Sequence, residues 1–225
     1  MKKSKFEQAE EFMHSCMNDT VHDSLHVYRV LNYAVQITEV TEGANMDVVI
    51  LAAILHDIGR EKEKKDSTIC HAEAGSEMAR NFLLQAGYEE DMANHVASCI
   101  LTHRYKKNRR PESIEGEIIF DADKLDLTGT VGTARAILFG GQIEEPLYLT
   151  GEDKMPTEGL PGEEASLFRE YNRKLKEISS KFYTKEGTHI ARIQQKSMDL
   201  YFESLFSEIH RNYELGKDIL AHYVI

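Results

Sequence analysis

The stretch Val48-Val49-Ile50-Leu51-Ala52-Ala53-Ile54-Leu55-His56-Asp57-Ile58-Gly59 decides how this chain is read. Eight apolar residues run unbroken into an imidazole and a carboxylate. A run this apolar is a buried strand or a buried helix, and Ala52-Ala53 together with its length favour a helix over about 47–57, with Gly59 as its stop. An ionised Asp at the end of a buried segment is costly unless something compensates it. A divalent cation would do so, and one His-Asp pair cannot fill its coordination sphere. Further His and Asp ligands are therefore expected elsewhere in the chain.

Outward from this run, the helical period dominates. Residues 5–17 and 22–40 carry apolar positions at helical spacing, with Val27, Val30, Leu31, Ala34 and Val35 on one face of the second. Ser67 is placed to cap a helix over about 68–86 that ends at Gly87. A further helix is expected over 89–103, and Ser113 is placed to cap one over about 114–127. No alternating strand pair and no strand-helix alternation is visible. The expected fold class is all-α. Residues 140–162 hold three of the four prolines and five glycines, and read as a long loop or lid. Helical periodicity returns over 163–182 and 187–215. The organisation expected is a single domain over 1–225, with a core over about 20–140 and C-terminal helices over 163–225 packing on it.

Composition limits the function. The chain has 225 residues, of which 41% are hydrophobic, and carries a net charge of −11. A core is available, and a surface for nucleic-acid polymers, which needs a basic footprint, is not expected. Cys16, Cys70 and Cys99 show no C-x-x-C spacing and leave an odd thiol, which fits a reducing compartment. The N-terminus is charged, and no apolar run is long enough to span a bilayer. These features predict a cytoplasmic protein without membrane attachment; self-association into a homo-oligomer is left open.

The missing partners are present. His22 and His26 lie four apart on one helix face, and His71, His103 and the acidic run Asp121-Ala122-Asp123-Lys124-Leu125-Asp126 follow. The order is His, His-Asp, His, His, Asp. Four such groups suit one divalent ion with positions left for water; six, with Asp57 bridging, suit two. Metal-bound water loses its proton near neutral pH and becomes a nucleophile.

His26 in His-Val-Tyr-Arg-Val, His56-Asp57 in Leu-His-Asp-Ile-Gly, and Asp123 in Asp-Ala-Asp-Lys-Leu-Asp together resemble the HD-domain metal-dependent phosphohydrolases. His71-Ala72-Glu73-Ala74-Gly75-Ser76 and Ile100-Leu101-Thr102-His103 also resemble family segments. The similarity covers roughly residues 20–140, and residues 129–141 are similar to a subgroup of small bacterial members, some of which cleave nucleoside triphosphates. The resemblance implies an all-helical fold and gives the metal-ligand role to His26, His56, Asp57 and Asp123. Asp121 is the alternative to Asp123, and Asp126 a supporting residue. The metal implied is divalent: Mn, Mg, Co, Ni, Fe or Zn.

His71 and His103 are expected to act at the same centre, as phosphate-binding groups, proton donors or ligands of a second ion. Arg29, Arg104 and Lys124 are the candidate substrate contacts. Arg104 opens a basic run, Arg104 to Arg110, which would steer an anion toward His103. Lys62, Lys64 and Lys65 alternate with Glu61 and Glu63 and read as a solvated stretch. Some nucleotide-hydrolysing relatives place a Glu three residues after the Asp of the pair, where this chain has Arg60. Cyclic-dinucleotide phosphodiesterases follow a later His with Gly-Tyr-Pro, where this chain has Arg104-Tyr105-Lys106. The expected activity is hydrolysis of a phosphoester or phosphoanhydride in a small anionic molecule, a nucleotide first among them. The alternatives are a di-iron oxygenase on the same scaffold and a non-enzymatic nucleotide-binding or regulatory module.

Overall fold

A computed structural model describes residues 3–17, 24–104, 109–152, 155–160 and 162–224. His22, Asp23, Tyr105, Lys106 and Lys107 lie outside them. The fold is all-α: the described residues hold no strand, and an isolated bridge pairs Thr150 with Pro156. Contacts divide the chain into two compact units, residues 1–126 with 182–189, and residues 127–181 with 190–225.

The first unit contains α1 (Lys3–Cys16), α2 (Ser24–Glu39), α3 (Met46–Leu55), α4 (Arg60–Lys65), α5 (His71–Gln85), α6 (Glu90–Thr102) and α7 (Ile114–Leu125). Helix α3 is its centre and packs against α1, α2, α6 and α7. Its sequence explains this position. Val48, Val49 and every residue from Leu51 to Leu55 are buried, so α3 has no polar face to turn outward. Asn45 caps it, its Oδ1 accepting the N–H groups of Asp47 and Val48 at 3.0 and 3.3 Å. Helix α7 starts as its sequence indicates, with Ser113 Oγ accepting the Gly116 N–H at 3.1 Å.

Two boundaries differ from expectation. Helix α5 starts at His71, because Asp66 takes the Thr68 N–H and hydroxyl into a turn and ties up the chain that Ser67 would otherwise have capped. Gly59 does not close α3 in a left-handed conformation; its φ is −83° and it precedes α4. It is glycine because α5 passes too close for a side chain. A Cβ there would stand 2.2 Å from the His71 carbonyl oxygen and 2.6 Å from the Gly75 nitrogen.

The second unit contains α8 (Gly129–Gln142), the short α9 (Leu167–Glu170) with a π-helical turn over Tyr171–Leu175 and a 3₁₀ turn over Ile178–Lys181, and most of α10 (Lys185–Tyr223). Leu167, Phe168, Tyr171 and Leu175 form a core with Met198 and Phe202 of α10. Tyr171 stacks on Phe202 with centroids 4.1 Å apart, and its hydroxyl donates to Asp199. Helix α8 runs to Gln142, so the irregular segment opens later than the sequence indicates, and it lasts until Ser166 caps α9. No helix among the described residues is long and apolar enough to cross a membrane.

Candidate metal centre

Five helices or helix ends of the first unit deliver six side chains to one point. His26 comes from α2, His56 and Asp57 from the end of α3, His71 from the first residue of α5, His103 from the residue after α6, and Asp123 from α7. All six are at least nine-tenths buried. They form two triples whose ligand atoms lie within 4.8 Å of one another: His26, His56 and Asp123, and Asp57, His71 and His103.

Asp57 joins the triples. Its Oδ2 lies 3.5 Å from both His26 Nε2 and His56 Nε2. Its Oδ1 lies 3.7 Å from His71 Nε2 and 3.6 Å from His103 Nε2. Asp123 Oδ1 lies 3.5 Å from His26 Nε2. Asp57 Oδ2 is fully buried and has no hydrogen-bond partner. A buried carboxylate oxygen is rarely left so unless it serves another partner.

The four imidazoles are held alike. Each Nδ1 faces an acceptor: Asp126 for His26 at 2.7 Å, the Ala53 carbonyl for His56 at 2.7 Å, Glu63 for His71 at 2.6 Å and the Ile100 carbonyl for His103 at 2.6 Å. A carbonyl can only accept, so His56 and His103 carry their proton on Nδ1, and in the neutral ring Nε2 is a bare lone pair. His26 and His71 meet carboxylates at Nδ1, which favours the same tautomer. The pairs His26–His56 and His71–His103 then point lone pairs at each other across 3.3 Å. Four nitrogen lone pairs and two carboxylates converge, a donor set that suits a divalent transition metal.

Electrostatics agree. Burial pushes His56 down to about 4 from 6.5 and keeps it neutral; burial, followed by the Arg60 charge, does the same to His71. Burial also opposes charge on His26, but its hydrogen bond with Asp126 and the nearby carboxylates of Asp57 and Asp123 outweigh that and raise its pKa. Burial would raise Asp57 and Asp123, yet the neighbouring Arg60 and Lys124, with the imidazoles, hold both well below the usual carboxylate range.

The metal-free protein therefore loses stability as it is acidified. Between pH 6.5 and about 4 the unfolded chain takes up protons at His56 and His71 that the folded chain refuses. His26 has the opposite sign, and its contribution changes above pH 6.5, outside this interval. Below 3.8 the depressed carboxylates add to the loss. The urea midpoint of chelator-treated protein is expected to fall steadily from pH 6.5 to 4.5. A midpoint that rose over that interval would contradict the neutral-imidazole arrangement.

The remaining sequence candidates are placed as follows. Asp121 turns away from the cluster and accepts the Tyr183 and Thr184 N–H groups at 2.9 and 2.7 Å, beside the start of α10. Asp126 supports His26 and receives Arg29 at 2.6 Å. Arg29 thus reaches the centre through Asp126. Lys124 curls back onto its neighbour, its Nζ 2.6 Å from Asp123 Oδ2 and 3.1 Å from the His103 carbonyl, rather than pointing along the helix surface. Arg104, side chain 43% exposed, pairs with Glu63 at 2.7 Å. Arg109 pairs with Glu73 at 2.6 Å.

Two functional neighbours do not follow from the sequence pattern. Glu63 sits in what reads as a solvated Glu-Lys run, yet it orients His71. Arg60 donates from Nε to Asp57 Oδ1 at 2.9 Å. The usable signal was helical phase: positions 60 and 63 share a face, and that face follows directly on Asp57.

Similar proteins share this region. A family model described as HD domain matches residues 24–128, which include all six cluster residues. YpgQ of Bacillus subtilis is 28% identical over 206 residues, spanning 90% of this chain and 93% of YpgQ. The crystal structure of YpgQ in complex with ADP matches with a TM-score of 0.72 at 28% identity, covering 92% of this chain and 95% of that one. The crystal structure of an HD-superfamily hydrolase from Bacillus thuringiensis matches with a TM-score of 0.71 at 25% identity, covering 92% and 98% of the two chains.

Proposed function

We propose that this chain is an HD-domain metal-dependent hydrolase whose reaction is hydrolysis of a phosphoester or phosphoanhydride in a small molecule, a nucleotide first among them. His26, His56, Asp123 and Asp57 Oδ2 would hold one divalent ion. Asp57 Oδ1, His71 and His103 offer a second position. The observation that carries this reading is the buried, unpartnered Asp57 Oδ2 facing two imidazole lone pairs. The donor set is rich in imidazole and holds no thiolate, which suits Mn, Fe, Co, Ni or Zn more than Mg.

A bound ion of this kind supplies water acidic enough to lose its proton near neutral pH and neutralises phosphoryl charge. The protein's own contribution is placement. Asp126 and Glu63 keep the Nδ1 protons of His26 and His71 in place, so that both Nε2 atoms stay available. The buried helix ends keep bulk water from the cluster. Arg104, exposed beside His103, contributes positive potential that draws an anion inward against a net charge of −11. The nucleotide reading is supported by YpgQ, which was crystallised with ADP.

The test is a phosphate- and pyrophosphate-release screen over nucleotides and sugar phosphates, repeated with Mn, Mg, Co, Ni, Fe and Zn. Metal-dependent release from at least one nucleotide is expected. No release with any ion, alongside oxygen uptake by iron-loaded protein, would replace this reading with the oxygenase one. A narrower expectation concerns Asp126→Asn, which weakens the hold on the His26 ring. Metal affinity should fall by about 10- to 100-fold, the usual effect of removing such a partner. Unchanged affinity by isothermal titration calorimetry would remove Asp126 from the support of the centre.

A further inference from the structure

The two halves of the cluster are not equivalent, and the difference lies in their charges. The half built on His26 and His56 has a carboxylate of its own, Asp123, in addition to Asp57 Oδ2. The half built on His71 and His103 has, among the described residues, only Asp57 Oδ1. Glu63 adds no ligand there, since it stands behind His71 on Nδ1. Asp57 Oδ1 is also already engaged, because the Arg60 guanidinium donates to it at 2.9 Å. The single anionic oxygen of this half is therefore shared between a resident cation and any arriving one.

Arg60 is well held. It lies three residues beyond Asp57, is one-quarter exposed, and its Nη1 lies 3.5 Å from Glu63 Oε2. Lys124 is placed differently on the other half. It takes Asp123 Oδ2, leaving Asp123 Oδ1 facing His26 and Asp57 Oδ2 without a hydrogen bond. One half thus keeps two carboxylate oxygens clear for an ion, and the other keeps none.

We infer that Arg60 sets the number of ions this centre holds: one bound tightly at His26, His56 and Asp123, and a second bound weakly at His71 and His103 because a fixed guanidinium occupies the only carboxylate oxygen there. This rests on reading the cluster as a metal centre. It adds that this chain carries its own built-in cation in place of a full second ion. A fixed positive charge a few ångströms away repels a divalent ion in a partly buried site; Lys124 bears on the first half in the same way, but two clear carboxylate oxygens offset it there, whereas Arg60 holds the one oxygen of the second half.

Manganese(II) binding to chelator-treated protein tests both statements separately, by calorimetry for stoichiometry and by electron paramagnetic resonance for exchange coupling between paired ions. Wild type should show one tight ion and a second at least about 100-fold weaker. Arg60→Gln should tighten the second ion at least about tenfold, bring out the exchange-coupled signal, and leave the first ion within about threefold. Arg60→Lys keeps the charge and should behave as wild type. Circular dichroism confirms that each variant is folded. Two equally tight ions in wild type, an unaltered or weaker second ion in Arg60→Gln, or the same tightening in Arg60→Lys would each overturn the role of the Arg60 charge. Absence of any bound ion in wild type would instead remove the metal-centre reading beneath it.

Discussion

Asp57→Ala is expected to abolish both metal binding and hydrolysis in one step. Among the described residues no other side chain serves both triples: Oδ2 faces His26 and His56, and Oδ1 faces His71 and His103. Removing it leaves His71 and His103 with no carboxylate among the described residues and reduces the other half to Asp123. A catalytic ion contributes several kcal/mol to the transition state. At about 1.4 kcal/mol per factor of ten, hydrolysis should fall at least about a thousandfold. Metal content by mass spectrometry should fall with it, while circular dichroism stays helical because Arg60, once released, is one-quarter exposed and still close to Glu63. If substrate turnover survived this change, the mechanism built on Asp57 would be wrong.

Gly59→Ala should produce the second large effect, and through packing alone. The added methyl meets backbone atoms, the His71 oxygen at 2.2 Å and the Gly75 nitrogen at 2.6 Å, and backbone cannot rotate away. Overpacking a closed contact costs about 1–3 kcal/mol and occasionally more. With backbone on the far side of the contact we expect about 3 kcal/mol, a drop in Tm of about 6–12 °C for a chain of this size. The helix that must retreat is α5, and its first residue is His71. Second-ion binding should therefore weaken more than first-ion binding. A variant that melts with wild type would show that the α5 contact yields without cost.

Much of this centre was legible in the sequence because it is built from helix ends that announce themselves. The apolar run before His56 can only be buried, so the pair that follows it must be buried too. The family resemblance, rather than helical phase, favours Asp123 over Asp121, and the structure shows the phase that sets them apart. Asp123 and Asp126 are three apart and share a face, whereas Asp121 is two positions from Asp123 and points away from it, toward Thr184. The structure brings the His and Asp motifs together, each from at or near a helix start or end. Glu63 was not legible. In a run of alternating Glu and Lys, nothing local separates the one carboxylate that turns inward from its solvated neighbours, and the distinction appears only when α5 brings His71 alongside. The breakdown of residues 167–181 into α, π and 3₁₀ turns was hidden for a similar reason. Apolar spacing marks which residues face a core, but it tolerates a slipped turn when Tyr171 can stack on Phe202.

His26 meets Asp126 across 100 positions of chain, and His71 meets His103 across 32. The half built on His26, His56 and Asp123 is complete only in a fragment that spans α2 to α7, and so is the whole six-residue centre. Metal affinity is therefore a property of the finished fold, and an ion at 100 times its dissociation constant would add about 2.7 kcal/mol to that state alone. On the function proposed, the supply of the ion would become a determinant of how long the protein lasts in a cell, because a chain that unfolds in metal-poor conditions has lost the clasp between α2 and α7.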